Sequence, residues 1–125
     1  MPSHEEMVRA VERYVEAFDK GDAKMASDLY ADDATVGDPI GTPIHQGRDA
    51  IHAFYTMSMQ AGAKLRLDGP VRTGGDYAAF AFTVLVDFGG PKEIEVIDTF
   101  KFDGEGKVTE MRAYWSPANM RAVEA

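Results

Sequence analysis

The fold of this chain is decided by one run of alternating polar and apolar side chains, Lys92-Glu93-Ile94-Glu95-Val96-Ile97-Asp98-Thr99-Phe100-Lys101-Phe102. A period of two is typical of a β-strand with one buried face. The face that is apolar, and therefore predicted to point inward, carries Ile94, Val96, Asp98, Phe100 and Phe102. The register thus places a carboxyl group, that of Asp98, inside the protein.

A buried carboxyl group at position 98 has two interpretations. An ionised carboxylate without a partner is costly to bury, so the group either keeps its proton through a raised pKa or pairs with a cation. In the first case Asp98 is a neutral acid that can donate a hydrogen bond, which a carboxylate cannot do. In the second case it pairs with a buried arginine or caps a neighbouring turn. The strand pattern alone leaves both open.

Turn signals on both sides extend this strand into a sheet. Gly89-Gly90-Pro91 precedes it and Asp103-Gly104-Glu105-Gly106 follows it. Beyond these turns lie two further strand patterns, over 77–87 and 107–115. Three long strands joined by tight turns predict an antiparallel meander. A shorter strand containing Leu65 and Leu67 is predicted ahead of the meander.

The N-terminal half has helical spacing instead. Ser3 and Glu6 match a capping box, and apolar residues recur at helical intervals as far as a stop at Gly21. Further helices are predicted over 22–30 and from Gly47 onward, with a short strand at 34–36 and a loop at 37–41 between them. Helices first and strands after predict an α+β fold, with the helices packed on one face of a curved, mainly antiparallel sheet. No repeat or linker divides residues 1–125, so we predict a single domain.

Composition narrows the classes of partner. The 125 residues carry a formal net charge of −8, which disfavours binding to nucleic acid and to anionic membrane surfaces. The chain has no cysteine, and its three histidines are scattered, so we expect no metal site. Its start lacks the features of a signal peptide, and no apolar run is long enough to span a membrane. We therefore expect a cytoplasmic protein.

A cavity for an apolar ligand is indicated by the supply of aromatic residues. Nine lie on predicted elements, more than a small core needs: Tyr14, Phe18, Tyr30, Phe54, Tyr55, Phe80, Phe82, Phe100 and Trp115.

Tyr14 lies in the apolar stripe of the first helix, so its hydroxyl points inward and needs a partner. Asp38 lies in the Gly-Asp-Pro-Ile-Gly loop, where an aspartate is also a common turn former.

The chain resembles the bacterial Δ5-3-ketosteroid isomerases, which belong to the NTF2-like/SnoaL-like superfamily. The likeness runs nearly end to end and is carried by the stretches 11–15, 29–36, 38–41, 54–55, 78–84, 97–102 and 107–113. The joint placement of Tyr14, Asp38 and Asp98 is its most specific part. One departure is Gly37, which stands where the familiar enzymes carry a glutamate.

The resemblance implies a steroid Δ-isomerase, an enzyme that moves a C=C bond from Δ5 to Δ4 in 3-oxosteroids through a dienolate. It implies Asp38 as the general base, with Tyr14 and a protonated Asp98 as the oxyanion hole. Six further residues match substrate-binding or supporting positions: Tyr30, Phe54, Tyr55, Phe82, Met111 and Trp115. It also implies a cone-shaped fold, a small apolar steroid-like ketone as substrate, no cofactor, and a homodimer formed through the exposed face of the sheet.

Two other functions compete with this interpretation. A SnoaL-like cyclase or hydrolase of the same fold would act on another enolisable ketone, often with a histidine in the polar set. A noncatalytic module that binds a steroid-like ligand would keep the aromatic cavity but would not require both Asp38 and Asp98.

Overall fold

The computed structural model describes residues 2–123, and these contain three α-helices. α1 spans His4–Lys20, α2 spans Ala23–Ser27 and α3 spans Arg48–Gln60. The predicted capping box is present, since Ser3 Oγ accepts the Glu6 N–H and a Glu6 carboxyl oxygen accepts the Ser3 N–H. α1 ends where predicted because Gly21 adopts a φ of 65°, a left-handed conformation that suits glycine.

The second helix is shorter than predicted. The sequence indicates a helix over 22–30, but α2 ends at Ser27 and Tyr30 already belongs to a strand. The chain leaves the helix because the carbonyl of Leu29 accepts a hydrogen bond of 2.9 Å from the N–H of Val108. This contact with a strand far away in sequence outweighs the local helical pattern.

Eight strands form one mixed sheet that is mostly antiparallel. The spatial order is β2-β1-β7-β6-β5-β3, and β4 pairs with β5 while β8 pairs with β6. Their bounds are Tyr30–Gly37 for β1, His45–Gln46 for β2, Lys64–Leu67 for β3, Arg72–Gly74 for β4, Tyr77–Asp87 for β5, Pro91–Phe102 for β6, Val108–Tyr114 for β7 and Met120–Ala122 for β8. The predicted meander is confirmed as β5, β6 and β7. The three short strands β2, β4 and β8 were not predicted.

The register of the long hairpin confirms the inward face of β6. Asp98 pairs with Phe80 of β5, and Val96 pairs with Phe82. Asp98 is buried together with its four apolar neighbours on the same face, whereas Ile97 on the opposite face is half exposed. A shift by one residue would reverse these two faces, so the alternating pattern fixes the pairing.

The first strand is longer than predicted and has a parallel neighbour. β1 runs from Tyr30 to Gly37 instead of over 34–36, and it lies parallel to β7, with Val36 opposite Met111 and Gly37 opposite Arg112. The segment that follows β1, residues 38–41, is a loop as predicted. Parallel pairing brings this loop, which we call the Asp38 loop, beside the end of β7.

The helices cover the inner face of the sheet and enclose the core. Tyr14 of α1 packs edge-on against Phe80 and Phe100, with ring centroids 6.1 and 5.3 Å apart. This layered arrangement confirms the predicted α+β architecture. Over residues 2–123, no helix is long and apolar enough to cross a membrane.

Candidate active site

A cavity of about 250 Å³ lies between the helices and the inner face of the sheet. Aliphatic and aromatic side chains of β5 and β6 form one wall, and α1 and α3 contribute the other. Among the described residues that line it, Tyr14 and Asp38 are the only ones with ionisable side chains. An apolar cavity with few polar groups is typical of a site for a small apolar ligand.

Asp38 enters the cavity from the Asp38 loop. Two contacts with the end of β7 hold this loop: the N–H of Ile40 donates to the carbonyl of Ala113 at 2.9 Å, and Trp115 Nε1 donates to Asp38 Oδ1 at 2.9 Å. Burial raises the pKa of the Asp38 carboxyl, while the bond from Trp115 and the charge of His45 act in the opposite direction. A carboxylate with a raised pKa is a stronger base than an exposed one.

Asp98 is buried without a partner. Its side chain is 1% exposed, and within residues 2–123 neither carboxyl oxygen accepts or donates a hydrogen bond. No ion pair involving Asp98 is present in the described part of the chain either, which removes the interpretation that it pairs with a buried arginine. Burial raises the pKa of Asp98 well above its ordinary value, and the negative charge of Asp38 raises it further. The nearby Tyr14 hydroxyl has the opposite, smaller effect on this pKa. Burial and the charge of Asp38 both favour the protonated, neutral form of the Asp98 carboxyl.

Tyr14 connects the cavity with Asp98. Its side chain is 2% exposed, yet it forms part of the cavity lining. Burial raises the pKa of the Tyr14 hydroxyl well above its usual value. The hydroxyl thus keeps its proton and is a hydrogen-bond donor. Three ionisable groups named from the sequence thus lie near one another: Tyr14 and Asp38 line the cavity, and Asp98 is buried beside Tyr14.

Three of the six predicted substrate-binding residues do line the cavity, namely Phe54, Phe82 and Trp115. Tyr30, Tyr55 and Met111 do not, because they are fully buried in the core. The structure places these three side chains in the core, and a role for them in substrate binding stays a prediction. The hydroxyl oxygens of Tyr30 and Tyr55 lie 2.6 Å apart and form a hydrogen bond, and the ring of Tyr55 packs against Tyr14 with centroids 5.8 Å apart.

Sequence reasoning missed two residues beside the base. His45 stacks on Phe54 with ring centroids 4.4 Å apart, and its charge acts on Asp38. Trp115 was predicted only as an apolar wall residue, but its indole N–H binds the Asp38 carboxylate. Neither had a usable signal, since β2 is two residues long and the bond from Trp115 joins residues far apart in sequence.

The described residues contain no cluster of three or more His, Cys, Asp or Glu side chains that could hold a metal ion.

Comparison with known proteins identifies the family. A family profile described as a SnoaL-like domain matches residues 11–111. The chain belongs to the SnoaL-like family. This confirms the superfamily that the sequence resemblance indicated.

Two known proteins are similar to this chain, one in sequence and one in structure. The Steroid Delta-isomerase of Nocardioides simplex is 41% identical over 122 residues, which cover 96% of this chain and 98% of the relative. The epoxide hydrolase/cyclase-like enzyme SalBIII, with a role in pyran ring formation in the polyether salinomycin, superposes with a TM-score of 0.92. The superposition covers 98% of this chain and 100% of the SalBIII chain. The sequence identity is 22%, so the likeness confirms the fold alone.

Proposed function

We propose that this SnoaL-like protein is a steroid Δ-isomerase that moves a C=C bond from Δ5 to Δ4 in 3-oxosteroids. The single observation that carries the proposal is a buried carboxyl group, Asp98, whose pKa is raised by burial, close to the Tyr14 hydroxyl and the Asp38 carboxyl that line an apolar cavity. The identity to a steroid Δ-isomerase over nearly the whole chain supports it. The reaction needs a base and hydrogen-bond donors, and these side chains supply both.

Asp38 is the general base of the proposed reaction. Its carboxylate removes a proton from the carbon between the ketone and the double bond, and the electrons move into a dienolate. The Asp38 carboxyl, now protonated, returns the same proton to the γ carbon, which leaves a conjugated enone and restores the carboxylate. One side chain, Asp38, thus both removes and returns the proton. The hydrogen bond from Trp115 keeps the Asp38 carboxylate oriented during both steps.

Tyr14 and Asp98 stabilise the dienolate oxygen. Negative charge develops on the ketone oxygen as the proton leaves, and donors fixed in a buried site stabilise that charge more strongly than water does. Asp98 lies beside Tyr14, outside the cavity lining, and within residues 2–123 both of its carboxyl oxygens lack a hydrogen-bond partner. Catalytic hydrogen bonds are commonly completed only when the substrate binds. The substrate oxygen supplies the partner that Asp98 lacks.

The lining also constrains the substrate. No lysine, arginine or histidine lines the cavity among the described residues, and Asp38 contributes a negative charge. An anionic ligand would lose its hydration there without gaining a cation, which is unfavourable. The substrate we propose is accordingly an uncharged steroid-like ketone.

The proposal is tested by ultraviolet absorbance with 5-androstene-3,17-dione, because the conjugated product enone absorbs strongly. We expect turnover by the wild type and a loss of at least about a hundredfold in Asp38→Asn, which keeps the size of the side chain but removes the basic oxygen. Asp33→Asn, the same change at an exposed position of β1, is the matched control and should retain full activity. Steroid binding without turnover by the wild type would favour a binding module instead.

A further inference from the structure

Gly37, the last residue of β1, lies directly before the base and has no backbone reason to be a glycine. Its φ is outside the positive range that favours glycine, and the residue is buried. A Cβ atom at this position would lie 3.0 Å from Ile44 Cδ1 and 3.1 Å from Arg112 Cδ, both closer than ordinary van der Waals contact. The place of a side chain is therefore occupied by other side chains.

Arg112 shares that place with Ile44 and continues across β1. It is the register partner of Gly37 in the parallel pair of β1 and β7. Its Nη1 donates to the carbonyl of Met111 at 2.8 Å, to Thr35 Oγ1 at 3.2 Å and to the carbonyl of Thr35 at 3.4 Å. The arginine stem thus crosses over the glycine, and its guanidinium group ties the end of β1 to β7.

This crossing completes a set of three attachments between the base segment and β7. The other two join Ile40 to Ala113 and Asp38 to Trp115. The attachment through Arg112 comes first along the chain and fixes the backbone from which Asp38 projects. A displacement of about 1 Å at a reacting group can lower the rate by about a hundredfold, so the position of this backbone matters for catalysis.

We propose that Arg112, packed over Gly37 and bonded to Thr35, is a positioning residue that fixes the end of β1 and so aims the Asp38 carboxylate at the substrate. This contact requires a glycine at position 37, because a Cβ atom there would collide with the Arg112 side chain. The inference rests on the proposed role of Asp38 as the base, and it adds two residues that do not touch the substrate.

The first test separates the glycine from the arginine. Gly37→Ala introduces the Cβ and displaces the arginine stem, whereas Arg112→Met keeps an unbranched stem and removes the bonds to Thr35. Each should lower kcat on the order of tenfold and leave KM unchanged, because the orientation of the Asp38 carboxylate changes while the cavity that binds the substrate does not. Gly74→Ala is the matched control, since Gly74 also ends a strand, also lacks a positive φ and has no atom within 4 Å of its Cβ position. It should keep wild-type kcat.

A double variant tests whether the two residues act through one contact. Residues that share a contact give non-additive effects. Arg112→Ala removes one of the two side chains that a Cβ would meet, so Gly37→Ala should lower kcat less in the Arg112→Ala background than in the wild type. Effects that multiply independently, or a Gly37→Ala variant as fast as the wild type, would overturn the proposal.

A spectroscopic readout tests the same contact without turnover. Trp115 is the only tryptophan of the chain, and its indole binds Asp38, so its fluorescence should follow the ionisation of that carboxyl. We expect the amplitude of this pH titration to fall in Gly37→Ala and Arg112→Met and to stay the same in Gly74→Ala. Unchanged amplitudes in all three would overturn the positioning role, whereas a wild type without isomerase activity but with these fluorescence changes would overturn only the proposed function.

Discussion

At the scale of single residues, the environment of Asp98 sets its chemistry. The carboxyl group is buried among the apolar side chains of β6, has no cation paired with it within residues 2–123, and is affected by the negative charge of Asp38. Burial and a like charge both disfavour ionisation, so the two acids are driven to different protonation states. In the proposed reaction, Asp98 is the hydrogen-bond donor and Asp38 is the base.

Substitution of Asp98 should distinguish a donor from an ion. Asp98→Asn retains an N–H donor and should keep a substantial part of the isomerase activity. Asp98→Ala removes the donor and should lose on the order of a hundredfold in kcat, as expected for one oxyanion donor. Steady-state kinetics on purified variants measures both. Equal, near-complete inactivation of the two variants would contradict the neutral-donor assignment.

The raised pKa of Asp98 also predicts how stability depends on pH. The folded state holds a proton that the unfolded chain releases above its ordinary pKa of about 3.9. The stabilising contribution is therefore complete below that value and declines as the pH rises towards the folded pKa. Asp98→Asn abolishes this decline, so its Tm relative to wild type should increase as the pH is raised above about 4. Thermal unfolding followed at several pH values measures the trend, and a relative Tm that falls with pH would mean an ionised Asp98.

At the scale of elements, three tyrosines from three different elements meet behind the cavity. Tyr14 comes from α1, Tyr30 from β1 and Tyr55 from α3. Only the first reaches the cavity, while the other two bind each other and support its ring. Their roles should therefore differ although all three side chains are buried.

Replacement of each tyrosine by phenylalanine separates these roles. Tyr14→Phe should lower kcat by about a hundredfold because it deletes an oxyanion donor. Tyr30→Phe and Tyr55→Phe should have smaller effects on kcat, but each leaves the other hydroxyl buried without its partner, at a cost of about 1–3 kcal/mol in the free energy of unfolding. The double variant removes both hydroxyls and should recover part of that loss. Denaturant unfolding measures this, and equal damage to kcat from all three single variants would indicate general packing instead.

At the scale of the whole molecule, the outer face of the sheet carries exposed apolar side chains. Tyr77, Ile97 and Tyr114 are each about half exposed, and Ile97 and Tyr114 are register partners on β6 and β7. Exposed apolar groups that lie together are typical of protein interfaces. The homodimer proposed from the family would bury this face.

A charge on the outer face should therefore prevent dimer formation. Ile97→Glu places a carboxylate that would be buried in the interface, at a cost that dimerisation cannot offset. We expect a dimer for wild type and a monomer for this variant in size-exclusion chromatography with light scattering. Met57→Glu is the matched control, because Met57 is a 71% exposed apolar residue on α3, away from the sheet face. A monomeric wild type, or dissociation by both variants, would contradict the proposed interface.

The sequence by itself determined the features that depend on local periodicity and local caps. The period of two in β6 placed Asp98 inside, and the capping box and Gly21 fixed both ends of α1. These patterns can be recognised because the residues that produce them are neighbours along the chain. The resemblance to ketosteroid isomerases then named Asp38 and Tyr14 as partners of Asp98.

Tertiary structure alone decided the features that depend on contacts between distant segments. The parallel pairing of β1 with β7 ended α2 early, moved Tyr30 into a strand, and brought Trp115 and Arg112 to the Asp38 loop. It also placed Tyr55 and Met111 in the core and not in the cavity wall. No local pattern encodes these outcomes, because which strand lies beside which follows from the packing of the whole core.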